Sequence, residues 1–157
     1  MPPKTITVKK GEILQHIGDL NTKVYVVKSG LLRSYTIDEK GKEHIYLFAP
    51  EKWIMADNTP AGVPAQLYID VLEDATLVVV EKDINNAKDF VSLMNRLSVL
   101  QRRVIMLMSA TAMDRYLDFI ETYPDIVKRV PQRMIASYLG ITPEALSRVR
   151  HQVAEQK

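Results

Sequence analysis

Glu144, Ser147 and Arg148 set a carboxylate, a hydroxyl and a guanidinium at spacings of three and four residues. On a helix those spacings place all three on one face, with His151 beyond them. A guanidinium fork donates two parallel hydrogen bonds and a carboxylate accepts them, which together complement the donor and acceptor edges of base pairs. Such a face needs a rigid support, and residues 131–150, PQRMIASYLGITPEALSRVR, are built to give one. Pro131 suits a first helical position, where no backbone donor is required, so a first helix is expected over 131–139. Gly140 can take the left-handed conformation of a sharp corner. Thr142 is a good N-cap and Pro143 a good first residue for a second helix. Glu144 falls one place early for a full capping box. Ile135, Ala136, Leu139, Ile141, Leu146 and Val149 can close the corner from inside. The pattern predicts a helix-turn-helix.

The words IASYLGITPEALSRVR resemble the helix-turn-helix of the Crp–Fnr family of bacterial transcription regulators, and Glu144-x-x-Ser147-Arg148 is similar to its Fnr-type recognition helix. The resemblance implies that the second helix enters the major groove of DNA. Arg148 would fork onto guanine O6 and N7, Glu144 would accept from cytosine N4, and Ser147 would touch a thymine methyl or a phosphate. Gln132, Arg133, Thr142 and Arg150 would contact the backbone, which positions without specifying. Pro143 stands where the cyclic-AMP-responsive relatives carry an extra arginine, so the half-site expected in a palindromic operator is Fnr-like, of TTGA type. A β-hairpin wing after the recognition helix and a helical lead-in before the first strand also belong to the family pattern. Neither is visible in this sequence, so the two helices are expected to carry more of the DNA contact than in the relatives.

Upstream, segments 4–10, 12–17, 23–29, 31–37, 43–49, 65–71 and 76–82 are rich in Val, Ile, Tyr and Thr and read as strands. Gly11, Gly18-Asp19, Ser29-Gly30 and the run 38–41 punctuate them, which argues an antiparallel barrel or sandwich. The same glycines resemble those of the family's cyclic-nucleotide-binding β-roll. From residue 85 the strand pattern stops. Residues 88–120 contain no Gly or Pro and predict one long helix. Leu93, Leu97, Leu100, Val104 and Leu107 form a heptad-like seam, and Met106, Ala110, Met113, Leu117 and Ile120 form a second stripe. Two apolar sides have two surfaces to cover. In the resembled family this helix packs on the β-roll and pairs with its copy in a homodimer. The alternative is a monomer whose second face covers only the C-terminal helices. The methionines of this stretch read as adaptable core. Residues 122–125, TYPD, end the helix.

The expected fold is therefore α+β: an antiparallel β-roll or jelly-roll sensor domain over 1–84, a long dimerisation helix over 85–122, and a helix-turn-helix DNA-binding domain over 123–157. Relatives that bind cyclic AMP hold its ribose with a Gly-Glu pair and its phosphate with a Pro-Arg-Ser/Thr-Ala run. Here the matching positions carry Met55 and Ala56, then Ala65 and Gln66. No arginine lies between Arg33 and Arg96, and alanine cannot offset the desolvation of a buried phosphate. Binding of cyclic AMP in the family's usual way is not expected. Trp53, Met55, Gln66 and Tyr68 would instead leave a more apolar pocket, for a different small molecule or for none.

Composition narrows the classes. Residues 128–157 carry six basic against two acidic side chains, while residues 1–127 carry 15 against 17, so the basic end suits phosphate contact. The absence of cysteine excludes disulfides and thiolate metal sites and fits a cytoplasmic protein. No apolar run is long enough to span a membrane, and the first ten residues lack a signal-peptide core. His16, His44 and His151 show no metal spacing, which disfavours a cupin-type metalloenzyme, and no nucleophile–base pair or phosphate loop stands out. No enzyme and no cofactor are expected. The reading is a DNA-binding transcription regulator with an altered sensor. The alternative is a ligand-binding β-roll whose C-terminal helices serve dimerisation or protein contact.

Overall fold

A computed structural model of the chain describes residues 2–60, 62–82 and 90–157. The chain divides into two compact units, Met1–Ile84 and Asn85–Lys157. In the first, β1 (Lys4–Val8), β2 (Ile13–Gln15), β3 (Lys23–Ile37), β4 (Glu43–Ala49), β5 (Ile54–Met55) and β6 (Tyr68–Glu81) form one antiparallel sheet. Its order is β1-β6-β3-β4, with β2 on β6 and β5 on β3.

β3 and β6 are the spine, paired from Lys23↔Glu81 to Tyr35↔Tyr68. The sequence suggested a turn at Gly30 and two strands on either side. Instead the register shifts at Ser29 and Leu31 and the strand continues. Gly30 has φ +92° and lies against β6, where a Cβ would sit 2.5 Å from the Asp74 carbonyl oxygen. A glycine with positive φ is needed by a bulge as well as by a turn, and here it bends a strand without ending it. The segments at 65–71 and 76–82 likewise join in β6, and β5, not anticipated, pairs Met55 with Tyr25. Val27, Leu32, Met55, Ile69, Val71 and Leu77 are fully or almost fully buried in one core. Each large side chain so buried contributes about 1.5–3 kcal/mol relative to exposure.

A buried guanidinium lies on β3. Arg33 is 6 % exposed. Its Nε and Nη2 donate to the two Asp70 carboxylate oxygens at 2.9 and 3.0 Å, and its Nη1 donates to Glu43 Oε2 at 2.6 Å. The guanidinium also lies 4.1 Å from the Tyr35 ring centre, and Tyr35 stacks on Tyr68. These partners outweigh the cost of burial and raise the Arg33 pKa, so the group stays charged.

The second unit is helical: α1 (Phe90–Ser109), α2 (Ala112–Thr122), α3 (Ile126–Arg129), α4 (Gln132–Leu139) and α5 (Pro143–Glu155). The single helix expected over 88–120 is thus two. Thr111 breaks it with an extended backbone (φ −70°, ψ 164°) and a capping box: its hydroxyl accepts from the Asp114 N–H, and Asp114 accepts from the Thr111 N–H. The start of the expected helix at residues 88–89, its boundary at 84–85 and the side chain of Leu93 lie outside the described residues. Along α1, Met94, Leu97, Val104 and Met108 are exposed in the single chain, with Met108 at 81 %. None of the described helices is long and apolar enough to cross a membrane.

Candidate nucleic-acid interface and sensor site

The corner between α4 and α5 is made by short-range chemistry. Pro131 is the N-cap of α4 (φ −60°, ψ 146°), one residue before the position expected for it, because its extended ψ keeps it outside the helix. Gly140 ends α4 in the left-handed conformation, φ 66°. The Gly140 N–H then reaches the Ser137 carbonyl and the Ile141 N–H reaches the Ala136 carbonyl, so the last carbonyls of α4 are satisfied. Thr142 caps α5 by accepting from the Ala145 N–H at 3.1 Å, with Pro143 in the first turn.

Ile135, Ala136, Leu139, Leu146 and Val149 are buried inside the corner, while Ile141 is half-buried. Phe119, Tyr123 and Tyr138 add an aromatic cluster with ring centres 5.4–5.7 Å apart. Two arginines that the sequence did not single out hold the end of α4. Arg103 of α1 donates to the Tyr138 carbonyl at 2.9 Å and lies over the Tyr138 ring. Arg115 of α2 donates to the Leu139 carbonyl at 3.1 Å and to the Leu107 carbonyl at 2.7 Å. A cation at a helix C-terminus meets the negative end of its dipole, so these contacts favour the observed corner. Nothing in local sequence marks this hold on α4, since the two α4 carbonyls lie 35 and 24 residues from their arginines.

The outer face is free of that packing. Glu144, Ser147, Arg148 and His151 are exposed on α5, and Gln132, Arg133 and Thr142 are exposed nearby. Arg150 is half-buried, and the Thr142 hydroxyl already serves as a cap. His151 pairs with Glu155 at 3.1 Å on the same helix.

The four pocket residues named from sequence are not gathered in the same way. Met55 is wholly buried in the β core and Trp53 packs against that core, because the β5 pairing turns Met55 inward. Tyr68 stacks on Tyr35 and meets His16 edge-on. Gln66 does line a cavity of about 450 Å³, with Tyr46, Asp57, Asn58, Thr59 and Val63. Its lining mixes the polar groups of Asp57, Asn58, Thr59 and Gln66 with apolar surface from Val63 and Leu67.

Asp57, which the sequence did not flag, is 2 % exposed. Its Oδ2 accepts from the Gln66 N–H at 2.7 Å, the Leu67 N–H at 2.9 Å and Gln15 Nε2 at 3.4 Å, and its Oδ1 accepts from the Thr59 N–H at 2.9 Å. Burial on its own would raise its pKa, but the backbone donors of Thr59, Gln66 and Leu67 together hold it below the usual carboxylate range. A depressed carboxyl stabilises the fold at neutral pH, and that contribution is lost as pH falls through its folded-state value. Ala65, at the arginine position of the resembled cassette, is 2 % exposed. Its N–H donates to the Asp19 carbonyl at 2.8 Å and its carbonyl accepts from the Gly18 N–H at 2.9 Å.

Residues 5–89 match the model of the cyclic nucleotide-binding domain. The chain belongs to the Crp–Fnr family. The anaerobic regulatory protein of Aggregatibacter actinomycetemcomitans is 24% identical to it over 163 residues, covering 90% of this chain. The chain spans 63% of that relative's length. FixK2 of Bradyrhizobium japonicum superimposes with a TM-score of 0.83 over 99% of this chain and 86% of FixK2, at 21% identity. A CRP/FNR family regulator of Thermus thermophilus gives a TM-score of 0.73 over 98% of this chain and 87% of that protein, at 17% identity. These two likenesses concern the fold.

Proposed function

We propose that this chain is a DNA-binding transcription regulator that inserts α5 into the major groove and reads a palindromic operator as a homodimer. The observation that carries the reading is the capped corner at Gly140, which leaves Glu144, Ser147 and Arg148 together on an exposed helix face. Packing holds the buried side of α5, so the outer side is available for base edges, with Arg148 on a guanine and Glu144 on a cytosine. Gln132 and Arg133, in the first turn of α4, are placed for phosphates. The exposed apolar face of α1 supports pairing between two copies, whose two recognition helices would then meet half-sites about 10 base pairs apart.

The β-unit senses an effector other than cyclic AMP, or none. Ala65 offers no cation to a phosphate, and both of its backbone polar groups are already bonded within the chain. Arg148→Ala is expected to cost about 1–3 kcal/mol in affinity for a TTGA-type palindrome and to relax selectivity at one base pair of each half-site. Fluorescence anisotropy on the palindrome and on single-base variants measures both. Unchanged affinity in Arg148→Ala would remove Arg148 from the base-reading face.

A further inference from the structure

We propose that the Asp57 carboxylate is a tethered replacement for an effector's anionic group, so that this site is closed without a ligand and takes no phosphate or other anion. The inference deepens the reading of the β-unit as a sensor and rests on it. Two successive backbone N–H groups, those of Gln66 and Leu67, converge on one oxygen of Asp57, and Gln15 Nε2 approaches the same atom. Successive amides aimed at one point form an anion-binding concavity. The positions that supply them follow directly on Ala65, where the family's cassette carries its phosphate-binding arginine. The donors of an anion site have therefore been kept while the mobile anion has been exchanged for a side chain.

The charge balance agrees with this exchange. A buried anion needs donors or a cation. Asp57 has backbone donors on both oxygens, and with no arginine at position 65 a second anion there would meet donors already taken by a carboxylate. A free phosphate would have to displace a carboxylate that is covalently held at the site, against a very high effective concentration. The cavity of about 450 Å³ lined by Asp57, Tyr46, Asn58 and Thr59 is consequently suited to an uncharged or cationic small molecule.

Removing the carboxylate should convert the tethered site into an open one. In the full chain, Asp57→Ala is expected to lower the melting temperature of the β-unit, followed by Trp53 fluorescence, by roughly 5–15 °C. Sodium formate and sodium dimethyl phosphate should each restore much of that loss with saturation, relative to sodium chloride at the same ionic strength. The wild-type chain should respond to neither beyond the chloride control. Rescue by planar formate alone, with no response to the tetrahedral phosphodiester, would reduce Asp57 to a structural tie and overturn the proposal. So would equal stabilisation of both proteins, or an Asp57→Ala chain that melts like the wild type. Should Asp57→Ala not fold even with formate, amide exchange in the wild-type chain decides. The Thr59, Gln66 and Leu67 N–H groups should be protected without any ligand, and added dimethyl phosphate should leave their protection unchanged. Fast exchange that slows on addition of dimethyl phosphate would overturn the proposal. None of these readouts uses DNA, so they stand apart from the failure or success of the DNA-binding reading.

Discussion

Gly30→Ala is expected to destabilise the β-unit by several kcal/mol. At φ +92° any side chain is strained, at about 1–3 kcal/mol. The new Cβ would lie 2.5 Å from the Asp74 carbonyl oxygen, 2.6 Å from the Ala75 Cβ and 2.7 Å from the Ala75 Cα. Two of these obstacles are backbone atoms of β6 and the third is a Cβ fixed to that backbone, so relief requires the two longest strands to separate locally. Overpacking of that kind adds about 1–3 kcal/mol. The sum is a large part of the roughly 5–15 kcal/mol by which a domain is stable. Gly41→Ala is the matched control: its φ is +77° but nothing lies within 4 Å of the added Cβ, so it should show the strain without the collision. The chain has one tryptophan, Trp53, packed on the β core, so its fluorescence during denaturant unfolding reports on this unit. The midpoint for Gly30→Ala should fall well below that for Gly41→Ala. Equal midpoints would mean that β3 and β6 do not approach as closely at residue 30 as described.

Arg33→Leu should be comparably severe, at about 3–5 kcal/mol, because it leaves a carboxylate buried without its cation. The loss falls on Asp70, whose side chain is 14% exposed, and less on Glu43, which at 45% exposure keeps access to water. Arg33→Lys should lie between, since an ammonium cannot reproduce the two-pronged bond to Asp70 or the planar contact with Tyr35. The double variant Arg33→Leu/Asp70→Leu should regain most of the loss, as replacing both partners of a buried pair by apolar groups removes the uncompensated charge. A double-mutant cycle by the same fluorescence unfolding measures this. A double variant no more stable than Arg33→Leu would show that Arg33 acts through packing and not through its charge pairing.

Where the determinants are local, they were legible in the sequence. Gly140, Thr142 and Pro143 define the corner within four residues, and the alternating Val, Ile and Tyr runs define an antiparallel sheet. Features that depend on two interpretations of one residue were not. Gly30 reads equally as turn or bulge until β6 is placed beside it. Thr111 and Asp114 form a cap inside an apolar run in which no Gly or Pro announces a break. Pro131 shifts by one place because N-cap and first helical position both accept proline. Features built from distant partners left no local trace. Asp57 acquires its role from Gln66, Leu67 and Gln15, and Met55 turns inward only because β5 pairs with β3. The exposed face of α5 was therefore easier to read than the polar cluster around Asp57, which is assembled from distant parts of the β-unit.

The central claim is that α5 reads specific DNA, and selection of bound duplexes from a random-sequence pool tests it most directly. The account predicts enrichment of an inverted repeat with TTGA-type half-sites about one helical turn apart, and affinity for the enriched duplex that falls steeply as salt rises. A recovered pool with no enriched sequence, or enrichment that persists unchanged when Glu144 and Arg148 are both replaced by alanine, would contradict it.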